Sequence, residues 1–299
     1  MNLHRFLILG AAVGALAACS GDNTAPKLIT PAPHALIHIV NAVPDTGAMD
    51  FRFTDTVDGV PNVEFVNLAF RGGTNVGYQS VSAGSHHLRV FMSSSNANSA
   101  GITNDPAIVS TVLGDTTFTF VDGAHYTFIF YGSARAAAQK FLILTDDFVI
   151  PTSGILVRAI NMNTAAADIY VSSTTTALTA LPGTPLLSFL NLPPVTSGGY
   201  KALAAASSSG NYAMTAAPAG QPTPVWSTLF VAGSSGVPEV TGVSGALQAL
   251  PGARITGSIF TGILFPASTT GSKAASFTTP GILLVPERFC TNTAATATC

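Results

Sequence analysis

His38-Ile39-Val40-Asn41-Ala42, followed by Asp50-Phe51, returns later in the chain as Arg158-Ala159-Ile160-Asn161-Met162, followed by Asp168-Ile169. In both places an apolar, β-branched run ends on Asn, and the next such run opens on Asp. Three more matches follow in the same order. Gly77-Tyr78 is answered by Gly199-Tyr200, and Val109-Ser110-Thr111-Val112-Leu113 by Trp226-Ser227-Thr228-Leu229-Phe230. Gly123-Ala124-His125-Tyr126-Thr127 is answered by Gly252-Ala253-Arg254-Ile255-Thr256. Ordered recurrence at similar spacing marks a duplicated structural unit. The second copy carries extra residues around 232–245, expected to form a long loop.

Each copy reads as strands. Leu36–Val40, Met49–Phe53, His87–Phe91, Thr117–Val121 and Tyr126–Tyr131 are rich in β-branched and aromatic residues, with Gly, Pro, Asn or Asp between them. Thr117-Phe118-Thr119-Phe120 alternates polar with apolar, the period of a half-buried strand. Helical periodicity is confined to a short stretch around Ala134–Lys140. The expected fold is all-β: two tandem immunoglobulin-like sandwiches at 34–150 and 151–289, divided where Pro151 interrupts strand pairing. Residues 36–147 should then superpose on 155–285, with Asn41 over Asn161 and Gly123 over Gly252.

Ahead of the repeats stands a different kind of segment. Met1–Arg5 is weakly cationic, and Phe6–Leu16 is apolar but too short to span a bilayer core of roughly 30 Å. A charged start, a short apolar centre and small residues at the exit describe a secretory signal peptide over 1–18. Its exit, Leu16-Ala17-Ala18-Cys19, resembles the lipobox of bacterial lipoproteins. That resemblance implies cleavage before Cys19, acylation of its thiol, and a membrane anchor of two or three acyl chains, each buried methylene adding about 0.8 kcal/mol. Ser20 follows, where aspartate would imply retention at an inner membrane, so the outer membrane is expected in a cell with two. Residues 20–33, polar and proline-rich, read as an extended tether.

A second resemblance concerns the body. Val40-Asn41-Ala42-Val43-Pro44-Asp45, then Ala48-Met49-Asp50-Phe51, resembles the opening V-x-N-A-S-P-D-A-P-x-V-D-V-Y of the bacterial domain of unknown function 4397. That family shares the later glycine-led strand, here Gly123 to Gly132, and occurs as tandem copies on exported chains. It implies a sandwich in the cell envelope and brings no activity. The first copy departs at Val43 and at Thr46-Gly47; the second keeps only Asn161 and Asp168 of the opening.

Composition narrows the function. Only 9% of residues are charged and the net charge is −2, without Lys/Arg clusters, which argues against nucleic-acid binding. Of three cysteines, Cys19 is assigned to lipid. Cys290 and Cys299 remain as an expected disulfide closing the tail 290–299, in a compartment where disulfides persist. Between Ile169 and Ala253 the charged residues are Lys201 and Glu239 alone.

Asn41, Asp45 and Asp50, with Asn161 and Asp168, could supply hard oxygen ligands. Their recurrence favours a structural reading, in which Asn and Asp cap turns through side-chain-to-backbone hydrogen bonds. His86 and His87, adjacent on a strand, point to opposite faces and cannot chelate one metal together. Asp146-Asp147 stands at the boundary between copies, but no D-x-D-x-D-G loop supports calcium there. No G-x-S-x-G or H-E-x-x-H is present, so neither a catalytic residue nor a cofactor is expected. Trp226 is the sole tryptophan, a candidate binding anchor whose alternative role is to fill the core. The expected function is a lipid-anchored, non-catalytic binding, adhesion or structural module with an unknown envelope protein or glycan as partner. The alternative is a polysaccharide-processing enzyme, or its accessory domain, with a site built from loops.

Overall fold

The computed structural model describes residues 32–55, 65–73, 78–93, 111–233, 250, 252–287, 291–293 and 296–298. Cys19, Cys290 and Cys299 lie outside them, as do Val109, Gly77 and most of the expected 232–245 loop.

The described residues form strands and turns, and no helix. The first half contributes β1 (His34–Ala42), β2 (Met49–Phe53), β3 (Gly72–Gly73), β4 (Gln79–Ser82), β5 (Gly84–Met92), β6 (Val112–Phe120), β7 (His125–Tyr131) and β8 (Lys140–Thr145). The second contributes β9 (Ile155–Asn161), β10 (Ala167–Ser173), β11 (Leu187–Leu192), β12 (Thr196–Leu203), β13 (Tyr212–Pro218), β14 (Trp226–Leu229), β15 (Ile259–Phe265) and β16 (Gly281–Pro286). A last hairpin pairs β17 (Thr291–Thr293) with β18 (Thr296–Thr298). The stretch at 134–140, which has a helical period, makes a turn instead, because Asp45 accepts the backbone N–H groups of Ala134 and Arg135.

Each half is two sheets around one core. In the first, β3-β1-β7-β8 with β4 faces β2-β5-β6; in the second, β12-β9-β15-β16 faces β11-β10-β13-β14. Alternation along the strands fills the space between. Ile37, Ile39 and Phe128 meet Phe51, Leu88 and Val90 in one core. Val157, Ala159 and Phe260 meet Ile169, Met214 and Ala216 in the other.

The two inner sheets, those containing β1 and β9, also bury their second faces, and they do so against each other. Val40, Ala42 and Ile129 pack with Ile160, Met162, Ile263, Phe265 and Val285 in a third apolar cluster. This is why β1, β7, β9 and β15 carry near-continuous apolar runs, as strands buried on both sides must. The four sheets therefore stack in the order outer, inner, inner, outer.

Pairing registers locate the true repeat. β1 runs parallel to β7 with His38 opposite Thr127, and β9 runs parallel to β15 with Arg158 opposite Thr261. Asn41 thus corresponds to Asn161, and Tyr78 to Tyr200 through their antiparallel neighbours. Gly123 corresponds to Gly257, not to Gly252. Both have positive φ (72° and 88°), and each donates its N–H to the residue that opens the half, His34 or Gly154, at 2.8 Å. Gly252 answers another need: a Cβ there would stand 2.0 Å from the Gly233 nitrogen. The shared Gly-Ala pair had suggested a match that hydrogen bonding does not support.

Trp226 also changes partner. It pairs with Ala216, as Gly114 pairs with Val90, so its counterpart is Gly114 and not Val109. The exchange follows the space available. A Cβ on Gly114 would lie 2.6 Å from the Phe130 ring, whereas the second half sets Leu264 where the first has Phe130 and fills the space with indole. Trp226 packs, partly buried, against the second core.

Because the inner sheets share an apolar interface, the halves should unfold together. Truncating Phe265, which is fully buried there, to alanine should cost about 3–5 kcal/mol. Denaturant unfolding of the chain should show one transition by near-UV and far-UV dichroism; two separated transitions would mean the interface contributes little.

Candidate functional site

The described residues carry one concentrated group of buried polar side chains, and it lies between the inner sheets. Arg158 projects from β9 and is 3% exposed, while the carboxylates of Asp146 and Glu287 are 0% exposed. Arg158 Nη1 donates to Asp146 at 2.5 Å and Nη2 to Glu287 at 2.5 Å. Nη2 also reaches Thr127 Oγ1 at 3.1 Å, and Nε reaches Thr261 Oγ1 at 2.8 Å. Each threonine accepts from the arginine and donates onward, Thr127 to Asp146 at 2.6 Å and Thr261 to Glu287. Tyr78 donates at 2.7 Å to the Asp146 oxygen that Thr127 also bonds, and Tyr200 donates to the Glu287 oxygen left free by Arg158 and Thr261. The guanidinium lies 4.6 Å from the Tyr200 ring centroid.

The group obeys the repeat. Thr127 and Thr261 are equivalent, as are Tyr78 and Tyr200. Asp146 and Glu287 each follow the last paired residue of their hairpins and donate their N–H to His125 and Ile259, at 2.8 Å in both cases. The symmetry fails at one position: Arg158 answers His38, which is 2% exposed and edge-on to Tyr78 at 6.4 Å. A single arginine of the second half serves the carboxylates of both.

Electrostatics follow from burial. Desolvation pushes the Glu287 carboxyl up, and Arg158 only partly offsets it. Desolvation and the neighbouring carboxylates push both phenols up, so Tyr78 and Tyr200 remain donors. Arg158 is held firmly cationic by the two acids against its own desolvation. The members are buried and bonded to one another, an arrangement that joins sheets.

The residues singled out in the sequence make backbone contacts. Asn41 accepts the Val43 N–H at 3.0 Å and donates to Leu68 O at 2.9 Å; Asn161 repeats this with Asn163 and Leu192 at 2.9 and 2.8 Å. Asp50 accepts the Asn67 N–H at 2.8 Å and pairs with Arg52 at 2.6 Å. Asp168 accepts those of Asn191 and Gly220 at 2.6 and 2.8 Å. Asn67 and Asn191 both have positive φ, so each Asp pins the same left-handed turn. Asp45 also accepts from Ser133 Oγ, and these bonds hold its carboxyl below its ordinary value despite desolvation. Asp146 is one of the two acidic residues that the sequence had placed at the boundary. The cation it meets is Arg158, whose signal was a lone charge in an apolar strand.

These features define an all-β protein of two repeats fused through a shared interface. Residues 35–172 match the family described as Domain of unknown function (DUF4397), which bears out the resemblance of the Val40–Phe51 stretch over a segment that takes in Asp146 and Arg158. No curated protein matches the chain. Among solved structures, one described as a "putative cell adhesion protein" from Bacteroides ovatus aligns over 86% of this chain and 96% of its own, with 8% identity and a TM-score of 0.22.

Removing Arg158 leaves two buried carboxylates without their cation, so Arg158→Met should cost about 3–5 kcal/mol. Glu287→Gln keeps the acceptor and should be tolerated much better. The sign of its pH effect follows from a raised folded-state pKa: the Glu287 contribution is fully present below the unfolded value near 4.5 and is lost as pH rises through the folded value. Denaturation midpoints measured across that range should therefore fall less with rising pH in Glu287→Gln than in the parent chain.

Proposed function

We propose that this chain is a lipid-anchored envelope protein that works by binding, with the outer sheet of its second half as the contact face. The observation that supports this is how exposed side chains divide between the two outer sheets. The inner sheets are occupied by each other, so outer sheets are what a partner can meet face-on. That of the first half presents Arg52, Arg89, His87 and Asp115, with Arg89 and His87 both paired to Asp115, the mixed charge of a solvated surface.

The outer sheet of the second half differs. Leu186 and Leu190 are 48% and 62% exposed along its β11 edge, beside Tyr170. Asp168 is the charged residue among the described residues of this face, and its oxygens are taken by backbone N–H groups. The nearby cation is Lys201 of β12, whose ammonium is 2.6 Å from Ser188 O and 4.4 Å from the Phe189 ring, and exposed aliphatic groups with so little charge around them mark a surface that is covered in use. The matching partner is neutral: a hydroxyl-rich glycan or an uncharged protein surface. The lipobox at Cys19 and the tether after it support a location at a membrane surface, the outer one in a cell with two.

Two measurements test this. Cys19→Ala should lose lipid incorporation and leave the membrane fraction; an acylated, membrane-bound variant would overturn the anchor. Pull-downs from envelope extracts should lose their partners with Leu190→Glu and keep them with Arg89→Glu, and the reverse pattern would move the contact face to the first half.

A further inference from the structure

His86 and His87 follow one another, yet their rings enter different surroundings. His87 faces outward to Asp115. His86 turns inward near the start of β5, edge-on to Phe53 at 6.0 Å and tilted against Phe120 at 6.0 Å. Just before it the chain crosses from one sheet of the sandwich to the other. Ser82 ends β4 on the inner sheet, Ala83 makes the crossing, and Gly84 opens β5 with a φ of 123°, a value that strongly favours glycine. The crossing brings Ser82 back over the His86 ring.

Ser82 Oγ lies 3.0 Å from His86 Nε2, and His86 Nδ1 lies 3.1 Å from Asp55 Oδ2. The other Asp55 oxygen accepts the His87 backbone N–H at 3.0 Å. An ionised carboxylate only accepts, so Nδ1 carries the imidazole proton and Nε2 offers its lone pair to the serine hydroxyl. Against slight desolvation, the bonds from His87 and His86 hold the Asp55 carboxyl below its ordinary value. Every member is thus oriented: Asp55 by backbone, His86 by two phenyl rings, Ser82 by the sheet crossing. The hydroxyl itself is on the exposed side. Hydroxyl, imidazole and carboxylate in this order define an activated serine by geometry, whatever their order in the chain.

We propose that Ser82, His86 and Asp55 form a nucleophilic relay that takes an acyl group from an ester. This is independent of the binding face proposed above, which lies on the other half. Ser82 Oγ attacks the ester carbonyl carbon as its proton passes to His86 Nε2, and the carbonyl electrons move onto oxygen. The tetrahedral adduct collapses, the bond to the alcohol oxygen breaks, and His86 returns the proton to the departing alcohol. Water then attacks the acyl-serine by the same route, with His86 accepting its proton and giving it back to Ser82 Oγ. The sum is ester plus water giving acid plus alcohol. An exposed serine suits small acyl esters, or acyl groups displayed along a polymer.

The test uses the full chain, a fluorophosphonate probe and p-nitrophenyl acetate. Peptide mapping should place the probe on Ser82, and ester turnover should disappear in Ser82→Ala. His86→Gln should abolish both signals, and Asp55→Asn should lower turnover on the order of 10²-fold or more. Ser80→Ala and His87→Gln should leave them unchanged. Because Ser82 and Asp55 are exposed, their variants keep the test decisive if His86→Gln perturbs packing. Failure of the probe to label Ser82, or parent turnover no higher than that of Ser82→Ala, would overturn the proposal.

Discussion

A guanidinium that cannot lose its proton sits between two sheets, out of contact with water, and the rest of the molecule is arranged around that fact. Arg158 needs its hydrogen-bond donors satisfied and its charge met, and it obtains both from Asp146 of the first half and Glu287 of the second. Such a cluster contributes little net stability compared with an apolar replacement, because desolvation cancels much of the attraction. Its effect is on geometry. An apolar interface alone would tolerate sliding of one sheet over the other, whereas displaced carboxylates would leave buried charges unpaired, at several kcal/mol each. The third apolar cluster supplies the attraction, and Arg158 selects the register.

The same interface is held at a second place by the loop between β15 and β16. Thr269 donates its N–H to Pro44 O at 2.8 Å, and Arg135 reaches Gly271 O at 3.0 Å. Arg71 donates to the carbonyls of Pro266 and Thr279 and lies 4.2 Å from the Phe277 ring centroid. Burial lowers the Arg71 pKa to about 10. The turn that carries the family resemblance, Val40 to Asp45, is therefore gripped from the second half as well as pinned by its own side chains. Contact between repeats and the shape of the signature turn are one structural problem.

The scarcity of charge in the second half has a partly internal cause. After β10 the chain crosses the outer face of β13, where Leu178 donates its N–H to Ser227 Oγ at 3.0 Å, and returns to β11. Ala213, Thr215 and Ala217 on that face are fully buried. Small residues let the crossing segment approach closely, and a charge beneath it would be desolvated. What remains open is the β11 edge with Leu186 and Leu190. An uncharged sequence thus divided into a self-covered part and a smaller exposed strip.

Strand identity, the all-β class and the duplication were legible because they are written in local terms: side-chain period, turn residues, and the Asn and Asp that satisfy backbone groups within a few tens of residues. Asn41 and Asn161, or Tyr78 and Tyr200, could be matched by eye since each position asks for one residue type. Gly123 and Trp226 were matched wrongly. Glycine recurs at many turns, and paired core positions can hold Phe with Gly in one half and Leu with Trp in the other. Neither the Arg158 cluster nor the Ser82–His86–Asp55 chain was legible as a group. Their members are far apart in sequence, and what joins them is which sheet faces which. Local chemistry determined what each strand could be; which polar groups would meet, and which would be sealed from water, was decided when the two inner sheets closed on each other.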